Sequence, residues 1–209
     1  MSKVLLINGS PHAHGCTFTA LGVVADELQK VGVETEIVHV GHKDIRGCIG
    51  CYKCKQMGRC VFDKDMVNEV AKKFEEADGL VIGSPVYYAG PSGEVRVFMD
   101  RLFSTSSGVL RLKPAAAVTS ARRAGTTAAI DAINKYFAFA EMPIVSSRYW
   151  NEVHGATPED VLSDKEGVQI MQVLGRNMAW LLKSIEAGKN AGIGTPGPVE
   201  KVFTNFIKK

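Results

Sequence analysis

The sequence predicts a parallel α/β sheet with helices on both faces, and two observations predict it. Short, nearly continuous apolar runs such as KVLLIN (residues 3–8) and GLVIG (residues 79–83) are typical of strands buried on both faces. Segments with apolar residues at helical spacing separate these runs, and such alternation gives parallel strands joined by right-handed crossovers. The chain has 209 residues, 45% of them apolar, so it can bury one sizeable core.

The first two predicted strands enclose the first helix. Residues 3–8 form the first strand, and a Gly-Ser-Pro turn follows it. Apolar residues recur at helical spacing over residues 17–31, where Thr17 can cap the start and Gly32 can end the helix. Residues 33–40 (VETEIVHV) alternate between apolar and polar, which predicts the second strand.

The same alternation continues after a cysteine-rich segment, and five strands suit the flavodoxin-like order 2-1-3-4-5. In such sheets ligands bind outside the carboxyl ends of the strands, so the candidate binding loops are residues 9–16, 84–91 and 120–125. The remaining strands are predicted at residues 79–83, 115–119 and 143–147, and the remaining helices at residues 65–76, 92–103, 126–140 and 164–187.

One domain is predicted over residues 1–187, with a cysteine-rich insertion at residues 46–62. A Gly/Pro-rich tail, residues 188–209, either wraps a partner subunit or packs on its own surface. The four apolar residues 4–7 are too few for a signal-peptide core, and no run approaches the roughly 18 apolar residues of a membrane helix. The formal charge of +3 is too small to indicate a nucleic-acid partner. We therefore expect a cytoplasmic protein with neither a membrane nor a nucleic acid as partner.

The first loop, GSPHAHGCT, runs from a buried strand into the start of a helix. Backbone amides there, with the Ser10 and Thr17 hydroxyls, can bind a phosphate in the favourable field of the helix dipole. His12 can reach a phosphate oxygen, whereas His14 is expected to be solvated. The loop has neither G-x-G-x-x-G nor a Walker lysine, so a monophosphate fits it better than a dinucleotide. The alternative is an ordinary turn that caps a helix.

The second loop, SPVYYAGPSG, follows another buried strand. Pro85 and Gly90 favour a rigid turn whose backbone can approach a flat ligand, and an aromatic ring can stack on that ligand. Adjacent side chains point in different directions, so one of Tyr87 and Tyr88 is expected to face the ligand. The alternative is a tyrosine pair that packs the loop onto its own domain.

Four of the five cysteines lie in the segment CIGCYKCKQMGRC, and the odd total argues against a closed disulfide framework. Cys48, Cys51 and Cys54 can direct successive thiolates at one centre, and Cys60 can complete the set. This spacing is similar to the C-x2-C-x2-C run of ferredoxins and favours a 4Fe–4S cluster. A structural zinc, a Cys48–Cys51 redox dithiol and a loop of free cysteines are the alternatives. The neighbouring cations Arg46, Lys53, Lys55 and Arg59 can attract an acidic electron carrier such as ferredoxin, or are ordinary solvated charges.

Three segments resemble the flavodoxin-fold NAD(P)H-dependent FMN reductases: INGSP before the helix, SPVYYAGPSGEVRVFMDRL, and TSARRAGTT. The cysteine run is similar to that of the iron-sulfur flavoproteins in this family. In this chain His12 and Cys16 stand where the family often has arginine and asparagine, so backbone contacts are expected at both positions. The resemblance implies FMN, with its phosphate at Ser10, His12, Gly15, Cys16 and Thr17, and its isoalloxazine ring against Pro85, Val86, Tyr87, Tyr88, Gly90, Ala121, Arg122, Arg123 and Gly125.

The arginine pair also has a physical argument of its own. Cations at a helix start oppose the helix dipole, whereas a guanidinium near a reduced flavin stabilises its negative charge. Arg122 and Arg123 can instead bind an anionic substrate or a nicotinamide phosphate. Beyond the fifth predicted strand, Trp150, Asn151 and His154 lie near the flavin or a neighbouring subunit, or pack an edge loop.

The resemblance implies an FMN-dependent oxidoreductase that passes electrons from NAD(P)H or ferredoxin to a small acceptor. It also implies a dimer or a higher homo-oligomer. The flavin carries out the chemistry, so no acid–base side chain is predicted. The alternative is a non-catalytic module that binds a flavin or a phosphate ligand and uses a four-cysteine zinc site for structure or sensing.

Overall fold

The computed structural model describes residues 2–200, 202–204 and 206, and a parallel sheet lies at its centre. In chain order the elements are β1 (Lys3–Asn8), α1 (Cys16–Gln29), β2 (Glu34–His39), α2 (Cys54–Met57), α3 (Val67–Glu76), β3 (Gly79–Tyr87), β4 (Gly90–Pro91), α4 (Gly93–Thr105), α5 (Ser107–Leu110), β5 (Ala115–Ala121), α6 (Thr126–Phe139), β6 (Glu152–His154), α7 (Pro158–Ser163) and α8 (Lys165–Asn190).

The order of the strands in the sheet is β2-β1-β3-β5-β6, and every pair in this series is parallel. Counted as parallel strands alone, this is the predicted order 2-1-3-4-5. The short strand β4 pairs antiparallel with the end of β3 and lies off the series. The strand order reverses between β1 and β3. Ligands of this fold class bind beside this switch point, at the carboxyl ends of the strands, which we call the carboxyl edge of the sheet.

Two apolar layers cover the two faces of the sheet, as the continuous apolar runs predict. In β1 the side chain of Leu6 belongs to one layer, and those of Leu5 and Ile7 belong to the other, because successive side chains of a strand point to opposite faces. One layer is completed by residues of α1 and α8, such as Leu21, Leu174 and Met178, and the other by residues of α3, α4 and α6, such as Phe74, Phe98 and Phe137.

Two local predictions differ from the structure. The segment predicted as a loop from residue 84 begins as strand, because β3 continues through Pro85 to Tyr87 and then turns into a hairpin with β4. Helix α1 begins at Cys16, and its N-cap is Gly15, which has no side chain to cap the helix. Thr17 is therefore not the cap. Its hydroxyl forms a hydrogen bond elsewhere.

The predicted fifth strand, residues 143–147, is wrong. Ile144 forms a single isolated bridge with Ala115, and the strand that pairs along the outer end of β5 is β6 (Glu152–His154). The fifth position of the sheet is thus divided between the two segments. Asn151 lies between them and accepts a hydrogen bond at its backbone oxygen from the Thr119 amide, 2.9 Å away.

In the described part of the chain, every helix is too short or too polar to cross a membrane.

Candidate functional site

The loops that follow β1, β3 and β5 meet at the carboxyl edge. The hydroxyl oxygens of Thr17 and Ser120 are 2.8 Å apart and share a hydrogen bond. The amide of Gly9 donates to the carbonyl oxygen of Gly83 at 2.8 Å. The first helix is therefore fixed directly against the ends of β3 and β5, and the three predicted binding loops form one surface.

Asn8 organises the first loop, residues 9–15. Its side chain is buried, accepts from the Ser10 amide at 3.1 Å, and donates to the carbonyl oxygens of Ala13 at 3.1 Å and His12 at 3.4 Å. The imidazole of His39 lies 2.7 Å from the Ser10 carbonyl oxygen and supports the loop from β2. These bonds curl the loop over the N-terminus of α1, where the free amides of a helix face an incoming anion.

Among the predicted phosphate ligands, Ser10 and Thr17 are buried, and Cys16 is half-buried. The Cys16 thiol points towards the carbonyl oxygen of Gly155, 3.6 Å away. Burial raises the pKa of this thiol, and the carboxylates of Asp160 and Glu159 act in the same direction. Cys16 is thus held as a neutral thiol, while the His12 side chain is exposed beside the loop.

A shallow, open cavity lies between the β3–β4 hairpin and the loop before α6. Tyr88 is wholly exposed at the tip of the hairpin, with φ of 53°. Tyr87 lies outside the cavity, and burial followed by the charge of Glu94 raises its pKa. Of the two tyrosines, Tyr88 lines the cavity, so it is the one that we expect to face a ligand. The lining residues of the cavity are Val86, Tyr88, Ala121, Arg122, Arg123, Ala124 and Gly125.

The other predicted ring contacts have different positions. Pro85 and Gly90 shape the hairpin without lining the cavity, since Gly90 pairs with Tyr87 across the turn. Arg122 and Arg123 both line it, and both side chains are exposed.

Three features of this surface were missed by sequence reasoning. The first is the buried Asn8 side chain, which orders the first loop. A structural role for Asn8 could have been suspected because it is a polar residue at the end of an apolar strand. The second is Gly41, where an added Cβ would lie only 2.3 Å from the Ser10 carbonyl oxygen. The third is the turn after β6, in which the Gly155 amide donates to Ala121 at 3.0 Å. Neither Gly41 nor Gly155 stands in a recognisable motif, so no signal identified them.

Trp150, Asn151 and His154 do not act as one group. Asn151 is buried, whereas Trp150 is exposed beside Tyr149. His154 ends β6, and its amide donates to Asp164 at 2.8 Å. Only His154 is close to the carboxyl edge, through the pairing of β6 with Ala121.

All four cysteines of the cysteine segment, residues 46–62, line one pocket. Its walls also include the apolar side chains of Ile49 and Phe62 and, from α4, Arg101, Ser104 and Thr105. Cys48 and Cys51 are exposed, whereas Cys54 and Cys60 are half-buried. The pocket thus combines four sulfur donors with a partly apolar wall.

The backbone of the cysteine segment is arranged around these sulfurs. The Gly50 amide donates to the Cys48 sulfur at 3.5 Å. The side chain of Asn68 brackets Cys60, because it accepts from the Cys60 amide at 2.8 Å and donates to the Cys60 carbonyl at 3.1 Å. Within residues 2–200, 202–204 and 206, no three His, Cys, Asp or Glu side chains are close enough to ligate one metal ion.

The parallel strand order β2-β1-β3-β5-β6, with helices on both faces, defines a flavodoxin-like protein. A family model described as NADPH-dependent FMN reductase matches residues 2–157. An iron-sulfur flavoprotein of Methanocaldococcus jannaschii is 34% identical over 88% of this chain and 99% of its own length. The chain belongs to the NADPH-dependent FMN reductase family, in its iron-sulfur flavoprotein branch, and is an FMN-dependent oxidoreductase.

Solved structures support the fold. RosB, solved with bound 8-demethyl-8-formylriboflavin-5'-phosphate, superposes with a TM-score of 0.70 at 16% identity and covers 100% of this chain and 93% of its own. A WrbA-like flavodoxin protein from Agrobacterium tumefaciens gives a TM-score of 0.64 at 13% identity, covering 88% of this chain and 99% of its own. The flavodoxin-like fold predicted from the alternation of strands and helices is confirmed.

Proposed function

We propose that this chain binds FMN at the carboxyl edge, holds a 4Fe–4S cluster in the cysteine segment, and passes electrons from NAD(P)H or ferredoxin to a small acceptor. The observation that carries the proposal is that four cysteine side chains line one pocket in a member of an FMN reductase family. When bound, FMN supplies one- and two-electron chemistry and the cluster supplies single electrons, so no acid–base side chain is required.

The phosphate of FMN would be held by the first loop. Backbone amides between Ser10 and Thr17 meet the positive end of α1, a helix of 14 residues. The buried Ser10 hydroxyl adds a donor, and the Thr17 hydroxyl adds a second when Ser120 donates the hydrogen bond that the two share. The neutral Cys16 thiol adds no competing negative charge. Gly15 lets the chain pass close to the ligand, and His12 would meet the phosphate from the solvent side.

The isoalloxazine ring would lie in the shallow cavity. Val86 and Tyr88 offer one wall, and Ala121, Arg122, Arg123 and Gly125 offer the other. Pro85, Tyr87 and Gly90 would act by fixing the hairpin. The guanidinium groups would stabilise the negative charge of the reduced ring, because they stand at the same opening.

The cysteine pocket fits a cluster better than a single zinc ion. A structural zinc more often uses two separated Cys-x-x-Cys pairs. Here three cysteines follow one another at two-residue spacing, as in the C-x2-C-x2-C run of ferredoxins. Cys48, Cys51, Cys54 and Cys60 would each supply one thiolate, and Phe62 and Ile49 would limit access of water.

The surroundings of the pocket favour an acidic electron carrier. Arg46, Lys53, Lys55 and Arg59 are exposed around it, so their field would attract a protein such as ferredoxin. The pocket lies beside the second half of α4, away from the carboxyl edge. A second copy that brought its cysteine segment to that edge would shorten the electron path, which supports a homo-oligomer.

Anaerobic purification of the full chain tests the proposal. The visible spectrum, FMN content, iron, zinc and acid-labile sulfide should be measured together, with Cys60→Ser and Cys16→Ser as paired variants. We expect near-stoichiometric FMN and about four irons and four sulfides per chain. Cys60→Ser should lose the iron, whereas Cys16→Ser should keep it.

Two outcomes would contradict different parts of the proposal. Failure to bind FMN at near-stoichiometric occupancy after its addition would refute the flavin site. Bound FMN with zinc, or with neither iron nor sulfide, in protein kept from oxygen would refute the cluster alone.

A further inference from the structure

We infer that Arg101 is a positioning residue of the cysteine segment, holding its two ends together and donating a hydrogen bond to the Cys60 sulfur. Arg101 belongs to α4, and its side chain has no exposed surface. A guanidinium cannot be buried without partners for its charge and its donors.

Every N–H donor of the Arg101 guanidinium has a partner. The Nε donates to the Cys60 sulfur at 3.2 Å. One Nη donates to the carbonyl oxygen of Arg46 at 3.0 Å and to Asp65. The other donates to the carbonyl oxygen of Phe62 at 2.9 Å and to the second oxygen of Asp65 at 3.0 Å. A guanidinium has five such donors, so this set is complete.

These partners lie on both sides of the cysteines. Arg46 precedes Cys48 and Phe62 follows Cys60, so one side chain joins the two ends of the segment. The Phe62 ring reinforces the junction, because it lies 4.7 Å from the Arg46 guanidinium carbon and 5.3 Å from that of Arg101. Closing a loop costs chain entropy, and Arg101 offsets that cost before any cluster is bound.

Asp65 compensates the charge of the buried Arg101 guanidinium. The Asp65 carboxylate is 9% exposed, and its two oxygens form a bidentate salt bridge with Arg101. Lysine could keep the charge, but it lacks the planar fork that reaches three directions at once. The geometry therefore requires arginine at position 101.

The hydrogen bond to Cys60 has a consequence for a bound cluster, and this part rests on the proposed function. Donors to cluster sulfurs and nearby positive charge stabilise the more negative, reduced state. Arg101 supplies both at Cys60. Its removal should therefore lower the reduction potential of the cluster, whereas a purely structural residue would leave the potential unchanged.

The test uses the full chain with Arg101→Lys and Arg101→Gln, and with Arg96→Gln as the matched control, since Arg96 is an exposed arginine on the same helix. Amide hydrogen exchange of residues 46–62 is measured in cluster-free protein. We expect exchange to accelerate by more than tenfold in both Arg101 variants and to be unchanged in the control. Redox titration of anaerobically reconstituted protein should give a lower cluster potential in Arg101→Gln.

Each outcome has a separate meaning. Wild-type protein that takes up no iron refutes the proposed cluster, while the exchange experiment still decides the role of Arg101 in the segment. Wild-type exchange rates in both Arg101 variants would refute the positioning role, and an unchanged potential would refute the electrostatic one. Global unfolding of both variants would also refute the inference, because a residue that only positions the cysteine segment should affect residues 46–62 and not the whole fold.

Discussion

Gly125→Ala is predicted to weaken FMN binding by crowding the wall of the shallow cavity. Gly125 is the N-cap of α6 and has φ of 93°, a conformation that favours glycine. An added Cβ would lie 2.8 Å from Cγ1 of Val86, which lines the same cavity. The substitution therefore imposes a strained backbone and a displacement of Val86.

The backbone strain destabilises the folded protein with or without FMN, whereas the crowding of Val86 weakens FMN binding itself. The left-handed backbone costs about 1–2 kcal/mol for a residue with a Cβ, and both the free and the bound protein bear it. Overpacking costs about 1–3 kcal/mol. In the free protein Val86 can relieve the contact by moving into the open cavity, but a bound ring would prevent this. The FMN affinity should therefore fall by about 5- to 150-fold.

Flavin fluorescence titration and urea unfolding of four proteins measure these terms. The proteins are wild type, Gly125→Ala, Val86→Ala and the double variant. Removing Cγ1 of Val86 should restore the FMN affinity of the double variant to that of Val86→Ala, while the backbone cost of about 1–2 kcal/mol persists in urea. Gly93→Ala is the control, because no atom lies within 4 Å of its added Cβ. Wild-type FMN affinity in Gly125→Ala would refute the reasoning.

Three further predictions concern other parts of the molecule. Asn8→Ala should reduce FMN affinity at least tenfold and riboflavin affinity less than twofold, because Asn8 orders only the first loop; equal losses in titrations of both ligands would contradict this. Thr17→Val should lower the free energy of unfolding by about 1–3 kcal/mol in urea, since Ser120 loses its buried partner, whereas Thr17→Ser should not. Burial and a hydrogen bond to Asp100 raise the pKa of Tyr136 from near 10 to about 12, so stability should decline as pH rises from 10 to 12. Tyr136→Phe should decline less over this range in pH-dependent urea midpoints, and an identical decline would reject the assignment.

The sheet was predictable because burial on both faces leaves a strong local signal. The fifth strand was not, because its pairing depends on position in the fold more than on composition. Residues 143–147 are the more apolar segment, yet they provide one bridge, and the three residues of β6 pair because they lie beside the end of β5. Proline and glycine similarly concealed that β3 continues to Tyr87 and forms a hairpin.

The candidate site was predictable where a general rule of the fold applies. The rule that ligands bind at the carboxyl ends of parallel strands identified the loops near Ser10, Tyr88 and Arg122. Contacts between distant residues had no such rule. Thr17 was predicted as a possible helix cap, but its hydroxyl bonds to Ser120. No local pattern indicated that the Arg101 side chain is buried.

Helix α4 connects the carboxyl edge of the sheet with the cysteine pocket. At its start, Ser92 donates to the Gly9 carbonyl at 2.7 Å and to the Ser84 hydroxyl at 2.9 Å, which are groups of the first two loops. Arg101 follows nine residues later, about 14 Å along the helix axis. A single helix therefore sets the distance between the two candidate sites.

The cysteine segment is fixed at its ends and open in its middle. Its approach is fixed by Gly41, which packs on the Ser10 carbonyl, and its exit by Cys60, bound through Asn68 and Arg101. Between these points Cys48 and Cys51 are exposed. The Cys60 sulfur is thus held by the surrounding protein, whereas the exposed Cys48 and Cys51 must be brought into place by what they bind. Assembly of the proposed cluster should therefore begin at Cys60, because the protein alone holds that residue in place.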